Sequence, residues 1–171
     1  MRKRSKAREY ALQILYQVDV TRGEPRPILE DFWAVHPAPQ DVRVFATHVV
    51  EGTLQHLQEI NQRIAQHANN WDIARMAIVD RNILRMGTYE LLHVDDVPPK
   101  VCLNEAVELA KRFGDEESSK FVNGILDAIH KTHARRVDPA SAPTGDAPAV
   151  ANGEAPAAGP SAETSPQGRT T

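Results

Sequence analysis

Residues 101–127 read VCLNEAVELAKRFGDEESSKFVNGILD, two helical patterns joined by a short turn of glycine and acidic residues. In the second pattern the apolar residues recur at helical spacing, which predicts that one side of this helix faces a core. Lys120 and Gly124 point away from that side, and Phe121 lies at the border between core and solvent. An aromatic ring, a cation and bare backbone together can stack a base and hold its phosphate, although a phenylalanine at the edge of a core explains the same pattern.

The C-terminal segment differs from the rest of the chain in composition. Residues 137–171 are mostly Ala, Pro, Gly, Ser and Thr, with almost no large apolar side chains. Such a segment cannot bury enough apolar area to offset the entropy of ordering it. We therefore expect one helical domain over residues 1–136, followed by a disordered tail over residues 137–171.

The balance of charge limits where a nucleic acid could bind. The net charge is −3, and residues 137–171 account for all of it, because they hold four acidic residues and one arginine. The rest of the chain holds 19 basic and 19 acidic residues. A nucleic-acid site must therefore come from local clustering of charge.

The sequence lacks the signatures of several other protein classes. A single cysteine, Cys102, excludes a disulfide framework within one chain, and no apolar run approaches the roughly 20 residues that span a bilayer. These features indicate a cytoplasmic protein. No phosphate-binding glycine loop or nucleophile elbow occurs. His130 and His133 are explained better by surface histidines than by a metal pair, so we expect no enzyme, no catalytic residue, no metal and no cofactor.

A run of cations opens the chain. Five of the first eight residues are basic: Arg2, Lys3, Arg4, Lys6 and Arg8. They precede or begin a helix that is predicted to run to about residue 20. Such an arm suits phosphate contacts, because each contact releases counterions from the nucleic acid. A solvated terminus is the alternative.

The first helix has apolar residues on two sides. Its core stripe is predicted to consist of Ala7, Ala11, Ile14, Leu15 and Val18. Arg8, Leu12 and Tyr16 align on another side, and Tyr16 lies nearly opposite the stripe. Either this helix is buried on two sides, or Leu12 and Tyr16 belong to a surface for a partner.

The remaining periodicity predicts only helices. One long helix is expected over residues 41–67, and another over residues 76–93 with Asp80 near its beginning, where an acid interacts favourably with the helix dipole. On the second of these, outward positions are predicted for Arg81, Arg85 and Tyr89. Shorter helices are expected at residues 28–35, 100–113 and 116–135, with Glu108 and Arg112 as a surface ion pair. The fold class is therefore all-α, a compact bundle of about six to seven helices.

Four segments resemble the NusB family of bacterial transcription antitermination factors. They are ALQILY at residues 11–16, DRNILR at 80–85, NEAVELAK at 104–111 and KFVNGILD at 120–127. The resemblance extends over residues 2–135 and leaves out the tail. It implies an all-helical domain that binds the boxA RNA of ribosomal RNA leader transcripts together with NusE, a small-subunit ribosomal protein, in the RNA polymerase antitermination complex.

The resemblance also implies roles for individual residues. The RNA site would comprise Arg2, Lys3, Arg4, Lys6, Arg8, Gln13, Lys120 and Phe121. The surface for NusE would comprise Leu12, Tyr16 and Asp80. The chain departs from its relatives in two places, because its arm mixes lysine with arginine and because Cys102 and Leu103 stand where a small and a β-branched residue are usual.

Two other functions fit parts of the same pattern. RNA cytosine methyltransferases carry a similar helical domain in front of a catalytic domain, but only about 35 residues follow the helical part here, too few for such a domain. A helical module that binds only proteins is the other alternative. The basic arm and the patch at Lys120 and Phe121 count against it.

Overall fold

The computed structural model describes residues 2–69 and 71–137, with side chains described as far as residue 133. Within these residues the chain forms seven α-helices and a short 3-10 turn, Ile73–Arg75. The helices are Lys3–Thr21 (α1), Pro25–Val35 (α2), Gln40–Gln55 (α3), Leu57–His67 (α4), Ile78–His93 (α5), Pro99–Phe113 (α6) and Ser118–Val137 (α7). The prediction of an all-α bundle of six to seven helices is confirmed. The predicted tail lies outside the described residues, apart from Val137 at the end of α7.

Helix α5 is the centre of the bundle, since α1, α3, α4, α6 and α7 all pack against it. No residue of α5 is fully exposed. The outward position predicted for Tyr89 is therefore wrong, because its ring is buried. Arg81 and Arg85 are also mostly buried, and both donate hydrogen bonds to Asp19 of α1, at 2.6 and 3.1 Å. These bonds tie α1 to α5.

The long helix predicted over residues 41–67 is two helices. The break lies at His56, where the backbone angles leave the helical range. One turn earlier, a Cβ atom on Gly52 would overlap the ring of Tyr89, so only glycine permits this close approach. The His56 ring stacks on His93 at 4.0 Å between centroids. Side chains of α5 thus occupy the space at the junction of α3 and α4.

No helix in residues 2–69 and 71–137 is both long and apolar enough to cross a membrane.

Candidate nucleic-acid interface and partner surface

The basic arm is the N-terminal end of α1, and most of its cations have carboxylate partners. Lys3 pairs with Asp41 at 2.6 Å, and Arg4 pairs with Asp96 at 2.7 Å. Cations at a helix N-terminus oppose the helix dipole, so these carboxylates from α3 and from the turn after α5 offset an unfavourable charge. The Arg4 guanidinium lowers the pKa of Asp96 by hydrogen bonding to it. A phosphate that binds Arg4 would compete with this carboxylate for the guanidinium.

Lys6 extends the basic surface toward α6. It pairs with Glu9 at 3.0 Å, and Arg112 of α6 donates to the same carboxylate. The predicted pair of Glu108 with Arg112 is therefore wrong, because Glu108 accepts from Lys111 instead. We define the basic patch as Arg2, Lys3, Arg4, Lys6 and Arg112. Gln13 is partly buried on α1, two helical turns beyond Lys6.

Arg8 does not belong to the basic patch. Its side chain is 2% exposed, and its Nε and Nη2 atoms donate to Oε1 of Glu90 on α5 at 2.9 and 2.7 Å. Glu90 is equally buried, and Glu105 of α6 lies 3.9 Å away from the guanidinium. The expectation that Arg8 holds a phosphate is corrected by this geometry, because the guanidinium is directed into the bundle. Arg8 is a structural counterion that joins α1 to α5.

The buried pair shifts the pKa values of both partners. Burial acts to lower the pKa of Arg8, but the hydrogen bonds and the charge of Glu90 outweigh it and raise that pKa. Burial raises the pKa of Glu90, and Arg8 opposes this shift. The hydrogen bonds from the guanidinium favour the ionised form of the carboxylate and so oppose the rise in the pKa of Glu90. Without Arg8 the effect of burial on the pKa of Glu90 would be largely unopposed, because Glu105 adds to it and only the charge of Arg4 acts against it.

An aromatic patch forms where the segment after α4 meets α7. Phe121 is half-buried, which confirms its predicted position at the edge of the core, and Lys120 is exposed. A Cβ atom on Gly124 would meet nothing within 4 Å, so the backbone there is open. The ring of Trp71 lies 5.8 Å from that of Phe121. We define the aromatic patch as Trp71, Lys120, Phe121 and Gly124.

The arm and the aromatic patch lie on different elements, the arm on α1 and the aromatic patch on α7 and the segment after α4. Among the described residues, no hydrogen bond, ion pair or ring contact joins the arm to Lys120 or Phe121.

Sequence reasoning missed Trp71, which lies in a segment without periodicity, and Arg112, whose partner Glu9 is 103 residues away. An aromatic residue in a short polar connector is the one signal that could have identified Trp71.

Tyr16 and Asp80 line one shallow surface pocket. Its walls also include Phe113 and Asp115 from the turn between α6 and α7. Tyr16 is 40% exposed, and the ring of Phe113 is similarly exposed, so the pocket carries two accessible aromatic rings. Leu12 is buried in the core and does not line the pocket. Its assignment to the partner surface is therefore corrected, because α1 is covered on that side by neighbouring helices.

Asp80 is a mostly buried acidic residue in the wall of this pocket. It is 7% exposed, and its Oδ1 atom is buried without a hydrogen-bond partner among the described residues. Burial raises the pKa of Asp80, the Ser118 hydroxyl opposes this shift, and the Asp115 carboxylate adds to it. A basic side chain in the pocket would lie near the Asp80 carboxylate and would also meet aromatic faces suited to a cation.

The arrangement of the helices matches solved structures of one class of all-helical protein. A NusB structure from T. maritima matches with a TM-score of 0.72 and 37% identity, over 78% of this chain and 94% of that chain. A crystal structure of the antitermination factors NusB and NusE in complex with dsRNA matches with a TM-score of 0.71 and 32% identity, over 77% of this chain and 98% of that chain.

The sequence places the chain in the same class. The model of the NusB family matches residues 5–131. The transcription antitermination protein NusB of Syntrophus aciditrophicus is 44% identical over 144 residues, covering 84% of this chain and 89% of that protein. The protein of the same name from Geobacter sulfurreducens is 49% identical over 126 residues, covering 73% and 91%. The chain belongs to the NusB family, so the resemblance noted in its sequence is confirmed.

Proposed function

We propose that this protein is a transcription antitermination factor that binds the boxA RNA of ribosomal RNA leader transcripts together with NusE. It does so within the RNA polymerase antitermination complex and supports transcription of ribosomal RNA. It acts in the cytoplasm, by binding and not by catalysis. Support comes from the family, from curated relatives described as transcription antitermination proteins, and from a solved relative that is bound to NusE and dsRNA.

The observation that carries the proposal is the presence of two surfaces of opposite character on one small bundle. The basic patch offers cations to phosphates, whereas the pocket at Tyr16 and Asp80 offers a carboxylate and two aromatic rings to a basic protein. Arg112 and Phe113 are adjacent at the end of α6, and the Arg112 guanidinium lies over the Phe113 ring at 5.2 Å. The two surfaces therefore border each other, so one ligand can influence the other.

Replacing Lys3, Arg4 and Lys6 together with alanine should weaken binding to every single-stranded RNA. The dependence of log affinity on log salt should become shallower by about 0.7 for each phosphate that the variant no longer binds. Sequence preference should persist, since cations that bind phosphates do not read bases. The measurement is fluorescence anisotropy of labelled boxA RNA at several salt concentrations.

Two controls distinguish a specific contribution of the arm to RNA binding from a general effect of positive charge. Alanine at Arg22, Arg26 and Lys131 removes three exposed cations elsewhere and should change the salt dependence little. Asp96→Asn releases Arg4 from its carboxylate and should strengthen RNA binding by about twofold to fivefold. Equal reductions in affinity for the arm variant and the control triple would contradict a specific phosphate site.

We also propose that residues 138–171 are dispensable for folding and RNA binding. The family match ends at residue 131, and α7 ends at Val137. A chain that stops after Val137 should keep its melting temperature within about 1 °C and its RNA affinity within about twofold, because surface changes away from packed contacts are small. A drop of several degrees in thermal denaturation would show that this segment stabilises the bundle.

A further inference from the structure

Trp71 is the largest aromatic side chain that the described surface leaves open. It is 58% exposed, although a tryptophan normally buries most of its area. It lies between α4 and the 3-10 turn, and its ring contacts only one other described ring, that of Phe121. An exposed aromatic ring beside a half-buried one is a platform for a flat ligand.

The backbone holds this platform in place. The Trp71 N–H donates to the carbonyl of Ala68 at 2.8 Å, and Ala68 is buried. On the other side, the Asp72 carboxylate accepts from the Ala74 N–H at 3.0 Å and caps the 3-10 turn. Ile73 packs against the core. Because its own N–H is hydrogen-bonded and the turn that follows it is capped, Trp71 would lose less entropy than a residue in a free loop when a ligand stacks on it.

The angle between the two rings limits the conformation of any nucleic acid that stacks on both of them. The planes of Trp71 and Phe121 are inclined at 67°, with centroids 5.8 Å apart. Two bases that stack on these rings cannot remain parallel to each other, so the strand must turn sharply between them. The base pairs of a duplex cannot adopt this arrangement without unstacking. The patch therefore fits unpaired nucleotides.

Charge and open backbone beside the rings suit the connecting phosphate. Lys120 precedes Phe121 on α7 and is exposed, with only a 4.0 Å contact to the equally exposed Glu117. The backbone at Gly124, one turn further, faces open space. A cation and an uncovered helix surface thus lie next to the aromatic rings, where a sugar–phosphate chain must pass.

We propose that Trp71 forms a second base-binding subsite beside Phe121, and that the two rings hold two neighbouring unpaired bases of the RNA splayed apart. This inference rests on the proposed function, because it assumes that the aromatic patch binds RNA. It adds Trp71 to the RNA site, sets the number of bound bases at two, and requires the strand to turn sharply between them. A protein ligand is the alternative occupant, and it is favoured if substitution of Trp71 leaves the affinity for single-stranded RNA unchanged.

Three substitutions test the subsite with single-stranded boxA RNA. Trp71→Leu keeps the apolar contact with Phe121 but removes the flat face, so affinity should fall about 5-fold to 150-fold. Trp71→Phe keeps a flat face and should restore most of the affinity. Val35→Ala, which trims an exposed apolar side chain of α2, should change nothing. Binding of a blunt RNA duplex should be the same for all variants.

Fluorescence supplies a direct readout of stacking. The chain has two tryptophans, so Trp33→Phe leaves Trp71 as the only indole. Single-stranded RNA should quench its emission, and the duplex should not.

The outcomes separate the subsite from the proposed function. If folded Trp71→Leu binds RNA as the wild type does while Phe121→Ala binds weakly, the subsite is refuted and the function stands. If Trp71→Phe and Trp71→Leu reduce affinity equally, Trp71 supports Phe121 and stacks no base. If the wild type binds no RNA in the presence or absence of NusE, the proposed function itself fails.

Discussion

Arg8→Met should lower the free energy of unfolding by about 3–5 kcal/mol, because it leaves the Glu90 carboxylate buried without its counterion. Stability should be recovered in large part by Arg8→Met/Glu90→Leu, since apolar pairs often replace buried ion pairs without cost. Chemical denaturation of both variants measures the difference. Arg26→Ala breaks an exposed pair with Glu30 and should change stability by less than about 1 kcal/mol.

The destabilisation should depend on pH in a defined direction. Burial already raises the pKa of Glu90, and removing Arg8 removes the group that opposes this shift. A carboxyl whose pKa is higher in the folded than in the unfolded protein contributes stability at low pH and loses it as the pH rises through the folded-state pKa. The deficit of Arg8→Met should therefore be larger at pH 8 than at pH 5. A stable Arg8→Met variant that binds RNA weakly would contradict this structural role and would indicate that Arg8 contacts a phosphate.

Tyr16→Asp should weaken binding to NusE by about 30-fold or more, the effect typical of an aromatic residue at the centre of an interface. The ring forms a wall of the pocket that also holds Asp80, and Tyr16→Asp would replace its contact area with a carboxylate that must be desolvated on binding. Asp80→Asn should also weaken NusE binding, because it removes the charge that a basic side chain would neutralise. Titration calorimetry with purified NusE gives both values.

Both pocket variants should keep the binding that the protein alone shows for RNA, because the basic and aromatic patches are unchanged. Val35→Asp places the same charge on an exposed apolar position of α2 and should bind NusE normally. Unchanged NusE affinity of Tyr16→Asp would exclude the pocket at Tyr16 as the partner surface.

Helical periodicity predicted the fold class and most of the helices, but it merged α3 and α4 into one helix. It placed Phe121 at the border between core and solvent, where the structure has it, but it left open whether Tyr16 is exposed, because α1 has apolar residues on two sides. The roles of individual residues in binding came from the family resemblance, and they remain predictions.

The errors share a physical cause, which is burial from several directions. Periodicity assumes one buried side, but α5 is surrounded by five helices and buries Tyr89, while α1 packs against α2, α3 and α5 and buries Leu12. Arg8 belongs to a run of cations, a pattern that predicts exposure. Its partner Glu90 is 82 residues away, and no local pattern reveals that pair.

The proposed function depends on joint binding of boxA RNA by this protein and NusE. Its most direct test is titration of labelled boxA RNA with the protein at physiological salt, alone and with saturating NusE, beside an RNA of the same composition in scrambled order. Because the basic patch borders the pocket for NusE, we predict that NusE tightens boxA binding by about 5-fold to 150-fold, the usual range of coupling between two sites, with a smaller effect on the scrambled RNA. Equal affinity for both RNAs, unaffected by NusE, would contradict joint binding.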